Sequence, residues 1–290
     1  MNKNEAIKYA EGLLVNIPDK DESIKYILSI ATGKDVSDLH KIDELTLSEF
    51  RKFDKLTKLR ARHVPLDKLI GYKYFFDVKI PFNKNVLTPR QETEILTDMV
   101  IKDIKKNFKT TPPSVLDLCS GSGCIGLAIA SNTGVNVTLA DISAKAIKIS
   151  KKNNKLNDKL RLKDSKPPLN INYYVSDLFE KLEYKFDIIV CNPPYIKTQD
   201  LQKLEIEVKD FDPMLALDGG KDGLDFYRRV IADAPKYLND GGKIYFEVGI
   251  EQGDKVVKLL NKDFEDVQVI KDFAQIDRFI IAKKREKNAK

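Results

Sequence analysis

The sequence predicts an α/β protein: a mostly parallel sheet with helices on both faces, preceded by a small helical bundle and a β-hairpin linker. Three observations carry this. From about Pro89 onward, short apolar runs alternate with helical stretches, as in sheets built from strand–helix–strand units. Up to about residue 70, apolar residues recur at helical spacing with little β-branched alternation. The 290 residues also exceed what a single core usually holds, since cores stop growing near ~150–250 residues. The expected divisions are 1–71 (helical domain), 72–88 (hairpin linker) and 89–290 (sheet domain).

In the first division, helices are expected over roughly Lys3–Leu14, Asp21–Ala31 and Thr46–Arg62. Thr46 is followed three residues later by Glu49, the spacing of a capping box. Tyr72–Ile80 then alternates and is aromatic, and Pro81-Phe82-Asn83-Lys84-Asn85 supplies turn chemistry. Seven strands follow, at Ser114–Leu118, Val135–Ala140, Ile171–Val175, Phe186–Cys191, Gly242–Val248, Val267–Lys271 and Arg278–Ala282. Ligands of such sheets bind outside the carboxyl ends of the strands, so any chemistry is expected directly after them.

Composition narrows the class. Hydrophobic residues at 42% and charged residues at 32% exclude a globally disordered chain. No run approaches the ~18 apolar residues of a membrane span, and the N-terminus lacks a signal-peptide core. Cys119, Cys124 and Cys191 form neither a disulfide framework nor a CxxC pair. A soluble, cytoplasmic, monomeric protein is expected. The net charge is +6, but Lys283–Lys290 hold five basic and one acidic side chain, leaving +2 for the rest. Lys145–Lys166 carries nine basic residues on a predicted helix whose Ala146, Ile147 and Ile149 turn inward. Those lysines read as a solvated face, and no aromatics are interleaved with them for base stacking. Nucleic acid is therefore not the expected partner.

Two turns carry the chemistry. After the first sheet strand comes Cys119-Ser120-Gly121-Ser122-Gly123-Cys124-Ile125-Gly126, literally a GxGxxG pattern, and Asp141 ends the next strand. Glycines admit a ligand close to the backbone, and a carboxylate at that position accepts from ribose hydroxyls. A nucleoside cofactor follows, although NAD does not. Asp117 lies four residues before Gly121. Facing the site, it would oppose a pyrophosphate and suit a ligand bearing ammonium and sulfonium groups; the alternative is that it only hydrogen-bonds nearby backbone amides. No Walker lysine follows the glycines, which argues against a nucleotide triphosphatase.

The second turn is Asn192-Pro193-Pro194-Tyr195, directly after an apolar strand. Prolines there remove N–H donors and leave carbonyl acceptors in a rigid frame, and Asn192 adds another acceptor. Two adjacent acceptors can grip both hydrogens of an –NH2 group, while Tyr195 offers a flat surface to a planar amide or base. Such a nitrogen is a poor nucleophile, so orientation and electron release are what a catalyst must supply. His40 and His63 fit neither a triad nor a metal site, and no metal is expected.

With these motifs the chain resembles the S-adenosylmethionine-dependent class I methyltransferases, and within them the release factor glutamine methyltransferases (HemK/PrmC family). The resemblance extends to His63-Val-Pro-Leu66, Val86–Glu94, Asp212–Gly223 and Gly241–Gly249 with Gln252. It implies a Rossmann-like fold with a seven-stranded sheet, S-adenosylmethionine as cofactor, and S-adenosylhomocysteine as its product. It further implies methylation of the side-chain amide nitrogen (N5) of the glutamine in the Gly-Gly-Gln motif of peptide chain release factors. Cys119, Ser120, Gly121, Ser122 and Gly123 would line the methionine portion, Asp141 the ribose, and Asp177 with Leu178 the adenine. Asn192 would meet both cofactor and substrate, with Pro193, Pro194 and Tyr195 completing the glutamine pocket. The helical domain would help hold the release factor. Lys68 stands where the family has tyrosine and Gln91 where it has proline, and Arg161–Asn170 is a longer loop than expected.

Other readings use the same residues. The Asn-Pro-Pro-Tyr turn also serves adenine-N6 and cytosine-N4 DNA methyltransferases, but those need a basic surface or a target-recognition domain. A glutamine methyltransferase acting on a ribosomal protein shares the chemistry. A dehydrogenase fits the glycines and leaves Asn192–Tyr195 unexplained. A non-catalytic cofactor sensor would have no use for an intact Asn-Pro-Pro-Tyr turn.

Overall fold

A computed structural model of the chain describes residues 1–260 and 263–286, which divide into two units. Residues 287–290 of the basic tail lie outside the described residues. The first unit comprises Met1–Lys73 together with Glu205–Phe211. Its helices are α1 (Lys3–Leu13), α2 (Lys20–Thr32), α3 (Leu47–Ala61) and α4 (Leu66–Ile70). The expected capping box opens α3: Thr46 N donates to the Glu49 carboxylate at 2.7 Å, and Glu49 N to Thr46 Oγ1 at 3.3 Å. Asn2 and Glu5 open α1 in the same way, satisfying amides that the first turn leaves without partners. Ile24, Ile27, Leu28 and Phe53 fill the core against the small faces of Ala6 and Ala10.

A contiguous division ending at residue 71 misses the return of the Glu205–Phe211 segment to this unit. Its helical turn, Ile206–Lys209, brings Glu207 to Arg60, which is only 2% exposed. The Arg60 guanidinium also pairs with Asp19, and its Nε donates to Ser23 Oγ at 2.9 Å. A buried guanidinium has to be matched by acceptors in this way.

The second unit holds Tyr74–Leu204 and the described residues from Asp212 onward. The chain enters it through β1 (Tyr72–Phe75), which pairs with β2 (Val78–Pro81). The turn between them is Phe76-Asp77, inside the aromatic run, not at Pro81–Asn85 as the turn residues suggested; Phe76 adopts φ +53° there. β2 is no free linker. The Asn157 side chain exchanges hydrogen bonds with both backbone groups of Lys79, at 2.8 Å each, and Asn153 donates to Pro81 O at 3.0 Å.

Both asparagines lie on α7 (Ala144–Lys163), which follows α5 (Gln91–Asn107) and α6 (Cys124–Thr133). α7 runs into the segment expected as an Arg161–Asn170 loop and shortens it to 164–170. It buries Ala146, Ile147, Ser150, Asn153 and Asn157, and leaves Lys145, Lys148, Lys151, Lys152, Lys155 and Lys159 exposed. Gln91 is the first residue of α5, a position that takes proline or another residue without loss of a hydrogen bond.

The sheet has seven strands: β3 (Val115–Leu118), β4 (Val137–Asp141), β5 (Ile171–Val175), β6 (Phe186–Cys191), β7 (Leu238–Glu247), β8 (Phe264–Lys271) and β9 (Asp277–Lys284). Their order is β5-β4-β3-β6-β7-β9-β8, parallel except for β9. The chain winds outward from β3 to β5, then restarts beside β3 as β6. That reversal is the topological switch point, where a crevice opens beyond the strand ends. On one face, Leu116, Leu118, Ile189 and Phe246 pack under α8 (Asp225–Tyr237) and α9 (Gly253–Leu259), which contribute Tyr227, Val230 and Val256. On the other, Val115, Leu139, Val190 and Tyr245 pack under α5 and α6.

Candidate functional site

A cavity of about 360 Å³ opens at this switch point, between the ends of β3, β4 and β6. That volume is within the range of small-molecule sites. Cys119, Ser120, Gly121 and Ser122 line its floor, and Asp141, Asp177 and Leu178 line it further along. Asn192 and Pro194 reach it from β6, and Arg90 and Thr93 from the start of α5.

The glycine turn is left-handed at Cys119 (φ +61°), Gly121 (φ +53°) and Gly123 (φ +80°), which curls the chain around the cavity. Gly126 serves packing: a Cβ there would lie 2.2 Å from Leu139 Cδ2, so α6 can settle on β4 only with glycine. The Asp141 carboxylate accepts from Gly121 N and Ser143 N, each at 2.8 Å. Burial raises its pKa and these two amides oppose the rise. Each oxygen keeps a lone pair for a further donor such as a ribose hydroxyl. Asp177 is held at 2.8 Å by Arg229, another residue of the wall. The Ser120 hydroxyl is buried at the cavity without a partner among the described residues.

Asp117 and Gly123 do not reach the wall. Side chains alternate along β3, and Asp117 falls on the face covered by α6, fully buried. There its Oδ2 accepts from Gly126 N at 2.9 Å. The N-cap of α6 is Gly123, which has no side chain, so Asp117 supplies the missing cap from the neighbouring strand. Burial pushes its carboxyl up to about 8. The expectation that Asp117 faces the ligand is corrected accordingly.

Around the second turn, Asn192 Nδ2 donates to Glu247 Oε2 at 2.9 Å and to Thr93 Oγ1 at 3.2 Å, while Thr93 Oγ1 donates to the same Oε2 at 2.8 Å. Burial pushes Glu247 up to about 7, against the hydrogen bond from Thr93. Pro193 is buried, and Tyr195 packs against the core beside Gly249, with burial raising its phenol. Neither borders the cavity. The chain leaving the turn is clamped: Ile196 N donates to Leu217 O at 2.9 Å, Gly219 N to Ile196 O at 2.7 Å, and Gln252 Nε2 to Tyr195 O at 2.8 Å. The Asp212–Gly223 block is therefore the brace of the turn. Sequence reasoning left Thr93 and Glu247 without roles. They lie 99 and 55 residues from Asn192, and no local spacing links them to it.

A family model described as "Methyltransferase small domain" matches residues 88–208. The fold is similar to that of a methyltransferase from Pyrococcus furiosus, with TM-score 0.52 and 16% identity, covering 78% of this chain and 98% of that one. Sheet order, switch-point cavity and family match together define a methyltransferase of the class I fold. More narrowly, the chain belongs to the release factor glutamine methyltransferase family. It is 38% identical over 273 residues to the protein of that name from Thermodesulfovibrio yellowstonii, covering 93% of each. It is 31% identical over 286 residues to the one from Chlamydia trachomatis serovar L2, covering 98% of this chain and 94% of that one.

Proposed function

We propose that this protein transfers a methyl group from S-adenosylmethionine to the side-chain amide nitrogen of the Gly-Gly-Gln glutamine of peptide chain release factors. The observation that carries the reading is Asn192: it stands at the cavity, and its amide nitrogen is tied back to Glu247 and Thr93. That leaves the Oδ1 acceptor for a substrate –NH2. The cavity suits the cofactor in volume, in the Asp141 carboxylate at the end of β4, and in the buried Ser120 hydroxyl.

When bound, the cofactor supplies an electrophilic methyl group on sulfonium. Cys119, Ser120, Gly121 and Ser122 would hold its methionine portion, Asp141 its ribose, and Asp177 with Leu178 its adenine. Asn192 Oδ1 and a main-chain carbonyl of the Asn-Pro-Pro-Tyr turn would accept the two amide hydrogens of the glutamine. Pro194 and Tyr195 shape the slot around it. Both acceptors orient the nitrogen and raise its electron density as it attacks in line. After attack the cationic nitrogen would lose one N–H proton to water, so no strong base is needed beforehand. The helical unit contributes to holding the release factor, and the reaction belongs in the cytoplasm, where translation ends. Among the described residues no helix is long and apolar enough to cross a membrane.

Methyl transfer from labelled S-adenosylmethionine is the test, offered wild-type release factor, a release factor with its motif glutamine changed to glutamate, and unmethylated DNA. Label on the wild-type release factor alone is expected; label on DNA or on the glutamate form would overturn the reading. Asn192→Ala should abolish most turnover, while cofactor binding by calorimetry stays within about tenfold.

A further inference from the structure

An asparagine amide has two ends of opposite hydrogen-bonding character, and only the oxygen end can serve an –NH2 substrate. Nothing in Asn192 itself selects that end. Glu247 does: it is 2% exposed at the end of β7, and its Oε2 takes hydrogen bonds from both Asn192 Nδ2 and Thr93 Oγ1. A carboxylate is acceptor-only, so the Asn192 nitrogen must face it and the Asn192 oxygen must face away. We propose that Glu247 is a positioning residue whose carboxylate sets the polarity of the Asn192 amide, and that protonation of Glu247 releases this choice. The proposal rests on the amide-nitrogen reading above.

The surroundings favour such a switch. Arg278 on β9 lowers the Glu247 pKa, and Glu92 on α5 raises it. Tyr195 also faces it, as does Cys124 on α6, whose thiol burial pushes up to about 12. The Tyr227 hydroxyl of α8 is engaged with the Glu247 main-chain oxygen at 2.7 Å. Burial outweighs the Arg278 charge, and ionisation falls near neutrality. Above that point the carboxylate holds the amide as found. Below it, the carboxyl gains an O–H that can donate to Asn192 Oδ1. A turned amide then presents N–H groups to the substrate –NH2, donor against donor. Activity should therefore fall as pH falls through the ionisation.

The experiment follows two readouts in the wild type, Glu247→Gln and Thr93→Val from about pH 5.5 to 8.5. One is the side-chain amide resonance of Asn192 in the ligand-free chain; the other is kcat and KM for methyl transfer to release factor. In the wild type the resonance should move with a midpoint near 7. In Glu247→Gln it should not titrate, and kcat should fall about 10- to 100-fold without an acidic limb. KM and cofactor affinity should stay within about threefold, because Glu247 does not border the cavity. Thr93→Val keeps the carboxylate and should retain the titration with a smaller loss of kcat, which tests the idea even where Glu247→Gln folds poorly. An unchanged acidic limb in Glu247→Gln, or an Asn192 resonance indifferent to pH in the wild type, overturns the proposal. A titrating resonance without transfer to release factor sinks the substrate assignment and supports the hold of Glu247 on Asn192.

Discussion

Asp117 shows how far a single residue can mislead. Its identity and place at a strand end point to a ligand, yet the carboxylate caps α6 through Gly126 N. Every residue of β3 is buried, so hydrophobic alternation could not reveal which face Asp117 takes. Its burial carries a signature of its own, which the hydrogen bond from Gly126 N opposes. With a carboxyl near 8 in the folded chain against 3.8 when free, the fold binds the proton more tightly than the unfolded state. This group's contribution is therefore most favourable below about pH 4 and is lost as pH rises toward 8. Asp117→Asn keeps an acceptor for Gly126 and removes the ionisation. Urea unfolding of the ligand-free variant should show a shallower loss of stability across that window; identical slopes would refute the assignment. Glu247 is the converse case, a residue whose link to Asn192 is hidden from sequence because its partners are near in space only.

Among elements, the parallel strands were legible because each is a short apolar run closed by turn residues. β7 and β8 begin earlier than expected, since Leu238 and Phe264 pair despite polar neighbours. The hairpin turn was misread because Phe76-Asp77 lacks glycine or proline, whereas the richer turn residues come later. In α7, Asn153 and Asn157 look like helix-weakening polar residues, and only the backbone of β2 explains them. The brace behind the Asn-Pro-Pro-Tyr turn gives a sharper test. A Cβ at Gly219 would lie 2.7 Å from Tyr195 Cα and 2.8 Å from Pro194 O, backbone atoms with little freedom to yield. Gly219→Ala should displace the turn and reduce kcat about 100-fold, with about 1–3 kcal/mol of stability lost. Cofactor affinity should change little, since Gly219 is not on the cavity wall. Loss of affinity matching the loss of turnover would show that the brace is not confined to the turn.

At the scale of the whole molecule, charge was the least informative property. The lysines of α7 cover a solvated face, and Lys284 donates to Leu238 O at 2.7 Å, so part of the basic C-terminal stretch is structural. The chain forms two units, and periodicity gives no sign of the return of Glu205–Phe211, because a single helical turn carries no periodic signal. Arg60 reports on that return. Arg60→Met should cost about 2–3 kcal/mol in denaturant unfolding by leaving Asp19 and Glu207 without their buried partner. Glu207→Gln should be less costly, and the double variant should fall short of the sum; strict additivity would mean that the pair is not coupled.

The return also orders events during synthesis. Residues 74–204 must be made between the helices of the first unit and the segment that supplies Glu207. At about 5–20 residues per second that interval lasts roughly 7 to 26 seconds. Throughout it the nascent helices have Asp19 for Arg60 but not Glu207. The helices of the first unit are thus completed only after the strands and turn that carry Asn192 have followed them out.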